Sequence, residues 1–124
     1  MQYAILVYET PADFASRTPA ENERYVAAWR AYHQAMIAAG VRVPGGIALK
    51  EPATATTVRI KGGQRYVQDG PFAESKEQLG GFLFLECESL DVALEWAARC
   101  PTAATGVVEV RPVDLVMHET ILNG

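Results

Sequence analysis

His33 has the clearest capacity for proton transfer in this sequence of 124 residues. An unperturbed imidazole has a pKa of about 6.5, so it can give or take a proton near neutral pH. On a predicted helix, Trp29 and Met36 lie at helical spacing from His33 and share its side of the helix. His33 is therefore either a residue at the edge of the core, bonded to backbone, or a general acid or base on the wall of a cavity.

Asp69 begins the turn sequence Asp69-Gly70-Pro71-Phe72. An aspartate in this position commonly accepts hydrogen bonds from backbone N–H groups and fixes the turn. The alternative is a catalytic role, in which its carboxylate orients His33, or stabilises its charged form, across a cavity. His33 and Asp69 are thus the candidate catalytic pair.

Glu109 and Arg111 lie two residues apart and share one face of a predicted last strand. They could form an exposed or interfacial ion pair of small energetic value. On the cavity face of a sheet, Arg111 could instead bind a carboxylate or an enolate-like ligand through two parallel hydrogen bonds. We therefore treat them as candidate ligand-binding residues.

A short charged cluster follows the Asp69 turn and consists of Glu74, Lys76 and Glu77. Such clusters are commonly a solvated surface. The alternative is a loop that closes over a cavity or contacts a partner protein.

Other kinds of site are disfavoured by spacing. Two histidines and scattered acids lack the spacing of metal ligands, so we expect no metal. Gly62-Gly63 and Gly80-Gly81 fit a turn and the start of a strand rather than a phosphate-binding loop, and no cofactor is expected. Cys100 is predicted at the C-terminal end of a helix, where the dipole disfavours a thiolate, so we do not expect a nucleophile.

Composition restricts the class of protein. The chain is 49% hydrophobic and has a net charge of −4, which predicts a single globular domain over residues 1–124. The acidic balance disfavours nucleic acid as a partner. No apolar run reaches the ~18 residues of a membrane span, and the start lacks the features of a signal peptide, so a cytoplasmic location is expected.

The first predicted elements are a strand, a polar loop and a long helix. Residues 2–8 are almost continuously apolar and predict a strand buried on both faces. A polar loop is expected next, before Thr18-Pro19-Ala20-Glu21, which predicts a capping box. An apolar stripe then predicts a helix of about 20 residues that ends at Gly40. The stripe consists of Tyr25, Trp29, Tyr32, Met36 and Ala39.

The second half predicts further strands and one more helix. An irregular strand is expected over 41–49, and a hairpin over 56–61 and 64–69 that pairs Val58 with Val67. Residues 82–85 predict a central strand, and residues 107–113 a last one. Between these two strands, Ser89 caps a helix that ends at Pro101. One stripe of this helix is formed by Leu90, Ala93, Leu94 and Ala97, and a flanking stripe by Val92 and Trp96.

This order predicts an α+β fold of the ferredoxin-like type: an antiparallel sheet with two helices on one face and an inserted β-hairpin. Two helices cover one face of a sheet, yet the strands at 2–8 and 82–85 are apolar on both faces. We therefore expect a homodimer in which a second copy packs against the uncovered face and encloses a cavity.

Residues 69–81 read DGPFAESKEQLGG and resemble the signature of the DGPF-domain family of the YCII-related bacterial proteins. The similarity continues through residues 52–59, 90–97 and 109–113, and so covers nearly the whole chain. It implies the dimeric α+β barrel fold. Some members of that group are cofactor-independent enzymes that eliminate chloride from chlorinated lactones or hydroxyquinols.

The family pattern pairs a histidine on the first helix with an acid after the second. His33 matches the histidine, whereas Cys100 stands at the place of the acid. Genes of this type often lie beside those of extracytoplasmic-function sigma factors, which implies a possible sigma-factor partner. Two functional hypotheses follow: a cofactor-independent enzyme acting on a small cyclic or aromatic molecule, or a non-catalytic dimeric module that senses a ligand or binds a protein.

Overall fold

The computed structural model describes residues 1–124 and contains six strands and four α-helices. In chain order they are β1 (Gln2–Glu9), α1 (Pro11–Ser16), α2 (Pro19–Ala38), β2 (Arg42–Ala48), β3 (Thr56–Lys61), β4 (Gln64–Asp69), β5 (Gln78–Glu86), α3 (Leu90–Arg99), β6 (Val107–Pro112) and α4 (Leu115–Asn123). Two short 3-10 turns follow β2 and α3, at Pro52–Thr54 and Pro101–Ala104. None of the helices is both long and apolar enough to cross a membrane.

Four strands form one antiparallel sheet in the order β2-β5-β1-β6. Along β1 the side chains alternate strictly: Tyr3, Ile5, Val7 and Glu9 are buried, and the residues between them are half-buried. Because neighbouring side chains on a strand point to opposite faces, the buried set defines the face that the helices cover. Strand β1 is thus fully buried on one face within a single chain.

Helix α2 begins with the predicted capping box. The Thr18 hydroxyl accepts from the Glu21 N–H at 3.2 Å, and the Glu21 carboxylate accepts from the Thr18 N–H at 3.4 Å. Pro19 occupies the first helical position, where the missing N–H has no consequence. The predicted stripe is confirmed at its centre, where Tyr32 and Met36 are buried against the sheet.

Helix α3 is capped by Ser89 as predicted, and it faces the sheet through Ala93 and Ala97 of the first stripe and Trp96 of the flanking stripe. Ala93, Trp96 and Ala97 are buried, whereas Leu90 and Leu94 are each 48% exposed. The Trp96 ring packs against Tyr32 with 6.0 Å between centroids. A tryptophan buries more apolar area than a leucine, so the helix turns Trp96 inward.

Strands β3 and β4 form a separate hairpin, with Val58 opposite Val67 as expected and Arg59 opposite Tyr66. Gly62 and Gly63 have φ angles of 58° and 77°, a conformation that suits a two-residue turn of glycines. The ferredoxin-like α+β prediction with an inserted hairpin is confirmed.

Two short helices lie outside the prediction. The expected polar loop after β1 contains α1, which starts because Thr10 accepts the Asp13 N–H at 3.1 Å. At the C-terminal end, Asp114 accepts the Met117 N–H at 2.9 Å and starts α4. Both helices begin at a side-chain N-cap, and neither contains a buried residue.

The other face of the sheet has no helix on it and is called the open face here. Register places Leu6, Phe82 and Phe84 on this face, all partly exposed, because they alternate with the buried residues of β1 and β5. The sheet does not close into a barrel within one chain. The expected cavity between two sheets is therefore not a feature of the single chain.

Candidate active site

A cleft of about 670 Å³ lies between α2 and the β2–β5 side of the sheet. Hydrophobic residues make up 14 of the 24 that line it. Volumes of this size with mostly apolar walls are typical of small-molecule sites. One wall of the cleft includes the part of β2 between Val43 and Ile47, where its pairing with β5 is interrupted.

Aromatic rings form much of the helical wall. Tyr25, Trp29 and Tyr32 make a chain of edge-to-face contacts along α2, with centroid distances of 6.3 and 5.6 Å. Phe14 of α1 also lines the cleft, and its ring lies against Gly80, where an added Cβ would be 3.5 Å from it. These rings make one end of the cleft suitable for a flat ligand.

The polar end of the cleft is built around Glu9, whose residue surface is 3% exposed. One carboxylate oxygen accepts from the Tyr25 hydroxyl at 2.7 Å, and the other accepts from Arg17. The Tyr25 oxygen lies 2.7 Å from the Thr102 hydroxyl. Because Tyr25 donates its proton to Glu9, Thr102 is the donor to Tyr25. We call these four residues the Glu9 network.

Burial and charge fix the direction of the hydrogen bond between Tyr25 and Glu9. Burial raises the pKa of Tyr25 above its ordinary value, and the Glu9 carboxylate raises it further. Tyr25 therefore keeps its proton at neutral pH and remains the donor to Glu9. The Arg17 guanidinium lies 3.7 Å from the centroid of the Tyr25 ring, a cation–π contact that also fixes its position.

A second, more open cavity of about 750 Å³ lies on the far side of the Glu9 network, and we call it the outer groove. Arg24 of α2 and Arg99 of α3 line this groove, while Arg17, Tyr25 and Tyr32 line both cavities. The network is therefore the partition between two spaces.

His33 lines the cleft from α2 and is exposed in the single chain. No hydrogen bond or ion pair joins it to a carboxylate. It lies one helical turn beyond Trp29 and two turns beyond Tyr25, on the same side of the helix. The imidazole is thus accessible to a ligand in the cleft, and no acid of its own chain orients it.

Asp69 ends strand β4 and is exposed on the hairpin, outside the cleft. The structure does not bring Asp69 and His33 together within one chain.

Glu109 and Arg111 lie on the open face of β6, because Val108 and Val110 face the helices. The Arg111 guanidinium donates to Glu109 at 2.6 Å, and neither residue lines the cleft or the outer groove. Glu109 and Arg111 thus form an exposed ion pair, one of the two alternatives considered for them. The sheet lies between this pair and His33.

The charged cluster of Glu74, Lys76 and Glu77 lies in the loop between β4 and β5. Glu74 and Lys76 are exposed, and Glu77 is half-buried. The Gln78 side chain holds the loop by donating to the carbonyls of Ala73 and Ser75, at 2.8 and 2.7 Å.

Cys100, at the position of the expected acid, is 3% exposed. Burial raises the pKa of its thiol to about 11, so it is protonated at neutral pH. The structure contains no group of three or more His, Cys, Asp or Glu side chains arranged to hold a metal.

Glu9, Arg17 and Thr102 were not predicted as site residues from the sequence, and Tyr25 was predicted only as part of the apolar stripe of α2. One signal was available: Glu9 continues the alternation of Tyr3, Ile5 and Val7, which places a carboxylate on the buried face. Buried carboxylates require partners, so this alternation predicts a polar cluster. The identity of Arg17 as partner depends on the path of the α1 segment.

Three comparisons relate the chain to known proteins. The model of the YCII-related domain matches residues 1–116. An uncharacterized protein of Rhizobium meliloti (strain 1021) is 40% identical over 118 residues, which cover 93% of this chain and 94% of that protein. The structure of 5-chloro-2-hydroxyhydroquinone dehydrochlorinase (TftG) from Burkholderia phenoliruptrix AC1100, in complex with 2,5-dihydroxybenzoquinone, aligns with a TM-score of 0.52. The two sequences are 20% identical, and the alignment covers 92% of this chain and 94% of the dehydrochlorinase chain. This similarity indicates a common fold. The domain match and the Rhizobium relative together show that this chain belongs to the YCII-related family.

Proposed function

We propose that the protein is a cofactor-independent enzyme that carries out proton-transfer chemistry, of the lyase or isomerase type, on a small cyclic or aromatic molecule. The observation that carries this proposal is the cleft of about 670 Å³, with aromatic walls, His33 on one side and the Glu9 network at one end. Such chemistry requires a positioned base and a stabilised oxygen, and the cleft offers candidates for both.

The structural neighbour supports this proposal by analogy of fold. A dehydrochlorinase removes one proton and one chloride ion from its substrate, so the reaction needs a base but neither an oxidant nor a reductant. A histidine that is accessible to a ligand is suited to accept that proton. His33 has this access in the cleft, and we assign it the role of general base or acid.

The proposal includes a homodimer. The open face carries Leu6, Phe82 and Phe84, and Ile47 beside them is 53% exposed. An apolar surface of this kind on a soluble domain is stabilised by a second copy. Sedimentation at micromolar concentration tests this part, and a stable monomer would contradict the homodimer.

The enzyme proposal is tested by chloride release from 5-chloro-2-hydroxyhydroquinone under anaerobic conditions, with wild-type protein, His33→Asn and His118→Asn. His118 is the other histidine of the chain and lies on the exposed helix α4. Loss of a general base lowers the rate by about 100-fold or more, so His33→Asn is expected to lose activity and His118→Asn to keep it.

Two results count against the enzyme. One is an active wild type that His33→Asn matches in rate. The other is a wild type that neither releases chloride nor binds 2,5-dihydroxybenzoquinone in a calorimetric titration. Binding without turnover supports a ligand-binding site and contradicts catalysis on this substrate.

The second candidate function is a non-catalytic module that binds a protein, with an extracytoplasmic-function sigma factor as partner. It is favoured by the exposed loop after β4, where Phe72 is 69% exposed beside Glu74 and Lys76. The test is capture of the sigma factor by wild type and by a Glu74/Lys76/Glu77 triple-alanine variant. Equal capture by both proteins would contradict a role for the loop.

A further inference from the structure

Arg17 is the cationic side chain at the polar end of the cleft, and the protein holds it from two sides. The Glu9 carboxylate accepts a hydrogen bond from its guanidinium, and the Tyr25 ring lies beneath it at 3.7 Å. The Arg17 side chain is 16% exposed. Because little conformational freedom remains to be lost, this guanidinium is preorganised to bind a ligand.

Arg17 also has hydrogen-bond donors left over. A guanidinium carries five N–H groups, and a single hydrogen bond within the protein uses one of them. No side-chain nitrogen in the chain is both fully buried and without a partner, so the remaining donors of Arg17 face open space. That space is the cleft and the outer groove, since Arg17 lines both.

The neighbours of Arg17 leave it as the available donor at this end. The Tyr25 hydroxyl is committed to Glu9, and the Thr102 hydroxyl is committed to Tyr25. Glu9 balances the charge of Arg17 in the empty cleft, which keeps the network stable without a ligand. An anionic oxygen entering the cleft would therefore find a fixed guanidinium with free N–H groups.

We infer that Arg17 forms an oxyanion-binding subsite of the cleft, and that the ligand is a flat six-membered ring with oxygens on opposite sides. This inference rests on the proposed function, because it assigns a substrate class to the same site. The bidentate geometry of a guanidinium suits an ionised ring oxygen, and the aromatic wall formed by Phe14 and Trp29 suits the ring itself.

The spacing along α2 agrees with this ligand. Tyr25, which lies under Arg17, is eight residues before His33, a rise of about 12 Å along the helix. A ring with oxygens on opposite sides spans about 11 Å when a hydrogen bond is added at each end. The rise along α2 from Tyr25 to His33 thus matches the length of a ring held by one oxygen at Arg17.

The same arrangement assigns Arg17 a role in the reaction. In the keto form of such a ring, His33 takes a proton from a saturated ring carbon that is conjugated with the carbonyl held by Arg17, so that a C–H bond breaks and an N–H bond forms on the imidazole. The electron pair of the C–H bond becomes a C=C bond, and the π electrons of the carbonyl move onto the oxygen held by Arg17, which becomes an enolate. A donor fixed before the reaction stabilises that charge without reorganising.

The test compares two rings that differ in charge, by isothermal titration at pH 7 and constant ionic strength. The oxygens of 2,5-dihydroxybenzoquinone are ionised at this pH, whereas hydroquinone is neutral. Wild type is expected to bind the anion about tenfold more tightly than hydroquinone, a difference that one charge-assisted hydrogen bond provides. Arg17→Gln is expected to lose most of this preference while its affinity for hydroquinone changes little.

Arg24→Gln is the matched control. It also removes one positive charge, but Arg24 is on α2 and lines the outer groove alone. It is expected to keep the preference. Should Arg17→Gln not fold by circular dichroism, Arg17→Lys decides in its place, since a compact ammonium lacks the fork that serves Glu9 and a ligand together.

The outcomes separate this inference from the proposed function. If wild type binds both rings equally, or if the preference survives in the folded Arg17 variants, the oxyanion subsite is wrong and the cleft remains a ring-binding site. If Arg24→Gln loses the preference equally, a general charge effect replaces the subsite. If neither ring binds, both proposals fail.

Discussion

Two ion pairs join a glutamate to an arginine in this protein, one beneath the helices and one on the open face of the sheet. In the Arg17–Glu9 pair the side chains are 16% and 4% exposed, and in the Arg111–Glu109 pair they are 69% and 38% exposed. The first pair joins β1 to the segment between α1 and α2, and the second lies along a single strand.

The comparison shows how little the residue types decide by themselves. A buried carboxylate must be satisfied, so removal of its partner leaves an uncompensated charge. Exposed ions are solvated and screened, so their pairing changes stability little. The sequence analysis selected the exposed pair, because its two residues are close in sequence, and missed the buried one.

The largest expected effect is in the buried pair. Arg17→Gln leaves Glu9 with Tyr25 as its remaining side-chain partner, and we expect a loss of about 3 kcal/mol in the free energy of unfolding. Urea denaturation of this variant, with Arg111→Gln as the matched control, measures the difference. Equal losses in the two variants would remove the distinction between the pairs.

Burial also makes the stability of the protein depend on pH, through the thiol of Cys100. Burial raises the pKa of Cys100 from 9.0 to about 11, so the folded chain keeps a proton that the unfolded chain loses above pH 9. The contribution of the protonated Cys100 thiol to the free energy of unfolding is therefore fully present below pH 9. It is lost between pH 9 and 11, by an amount on the order of 2 kcal/mol.

Denaturation from pH 8.5 to 10 in wild type, Cys100→Ala and Cys87→Ala tests this alkaline slope. Cys100→Ala is expected to have a smaller slope, and Cys87→Ala the slope of wild type. An unchanged slope in Cys100→Ala would assign the alkaline loss to other groups, such as Tyr25, whose pKa is also raised by burial.

A smaller effect is expected when the hydroxyl of Tyr25 is removed. Tyr25→Phe takes one hydrogen bond from Glu9 and one from Thr102, and we expect a loss of about 1–2 kcal/mol. Tyr66→Phe is the control, since its hydroxyl bonds Gln64 at 3.0 Å on the exposed hairpin. Equal stability of the two variants in urea would mean that water replaces Tyr25 in the network.

The smallest effect is expected in the exposed pair. The double variant Glu109→Gln/Arg111→Gln should lie within about 0.5 kcal/mol of wild type, and a double-mutant cycle should give a coupling energy of similar size. A larger loss, particularly one that grows with protein concentration, would place the pair in an interface between two copies.

Local patterns were sufficient for most of the fold. Thr18 and Glu21 start α2, Ser89 starts α3 and Gly62-Gly63 closes the hairpin, because caps and turns depend on a few adjacent residues. Helix α1 was missed because its six residues carry no apolar stripe. The inward face of α3 includes Trp96 of the flanking stripe in place of Leu90 and Leu94, because the tryptophan buries more apolar area.

The candidate site was predictable in part. The helical spacing of Tyr25, Trp29 and His33 places these three residues on one side of α2, and all three line the cleft. The sequence could not pair Glu9 with Arg17, because their contact depends on how the seven residues between them fold. Nor could it reveal that the sheet separates Arg111 from His33.

The sequence by itself determined the six strands, helices α2 and α3, their order and the hairpin register, since these depend on spacing and on neighbouring residues. The tertiary structure decided which of two similar Glu–Arg pairs is buried, which cavity His33 lines, and that Asp69 lies outside it. Burial and long-range contact arise when elements pack, and they control the strength of an ion pair and the pKa of a thiol.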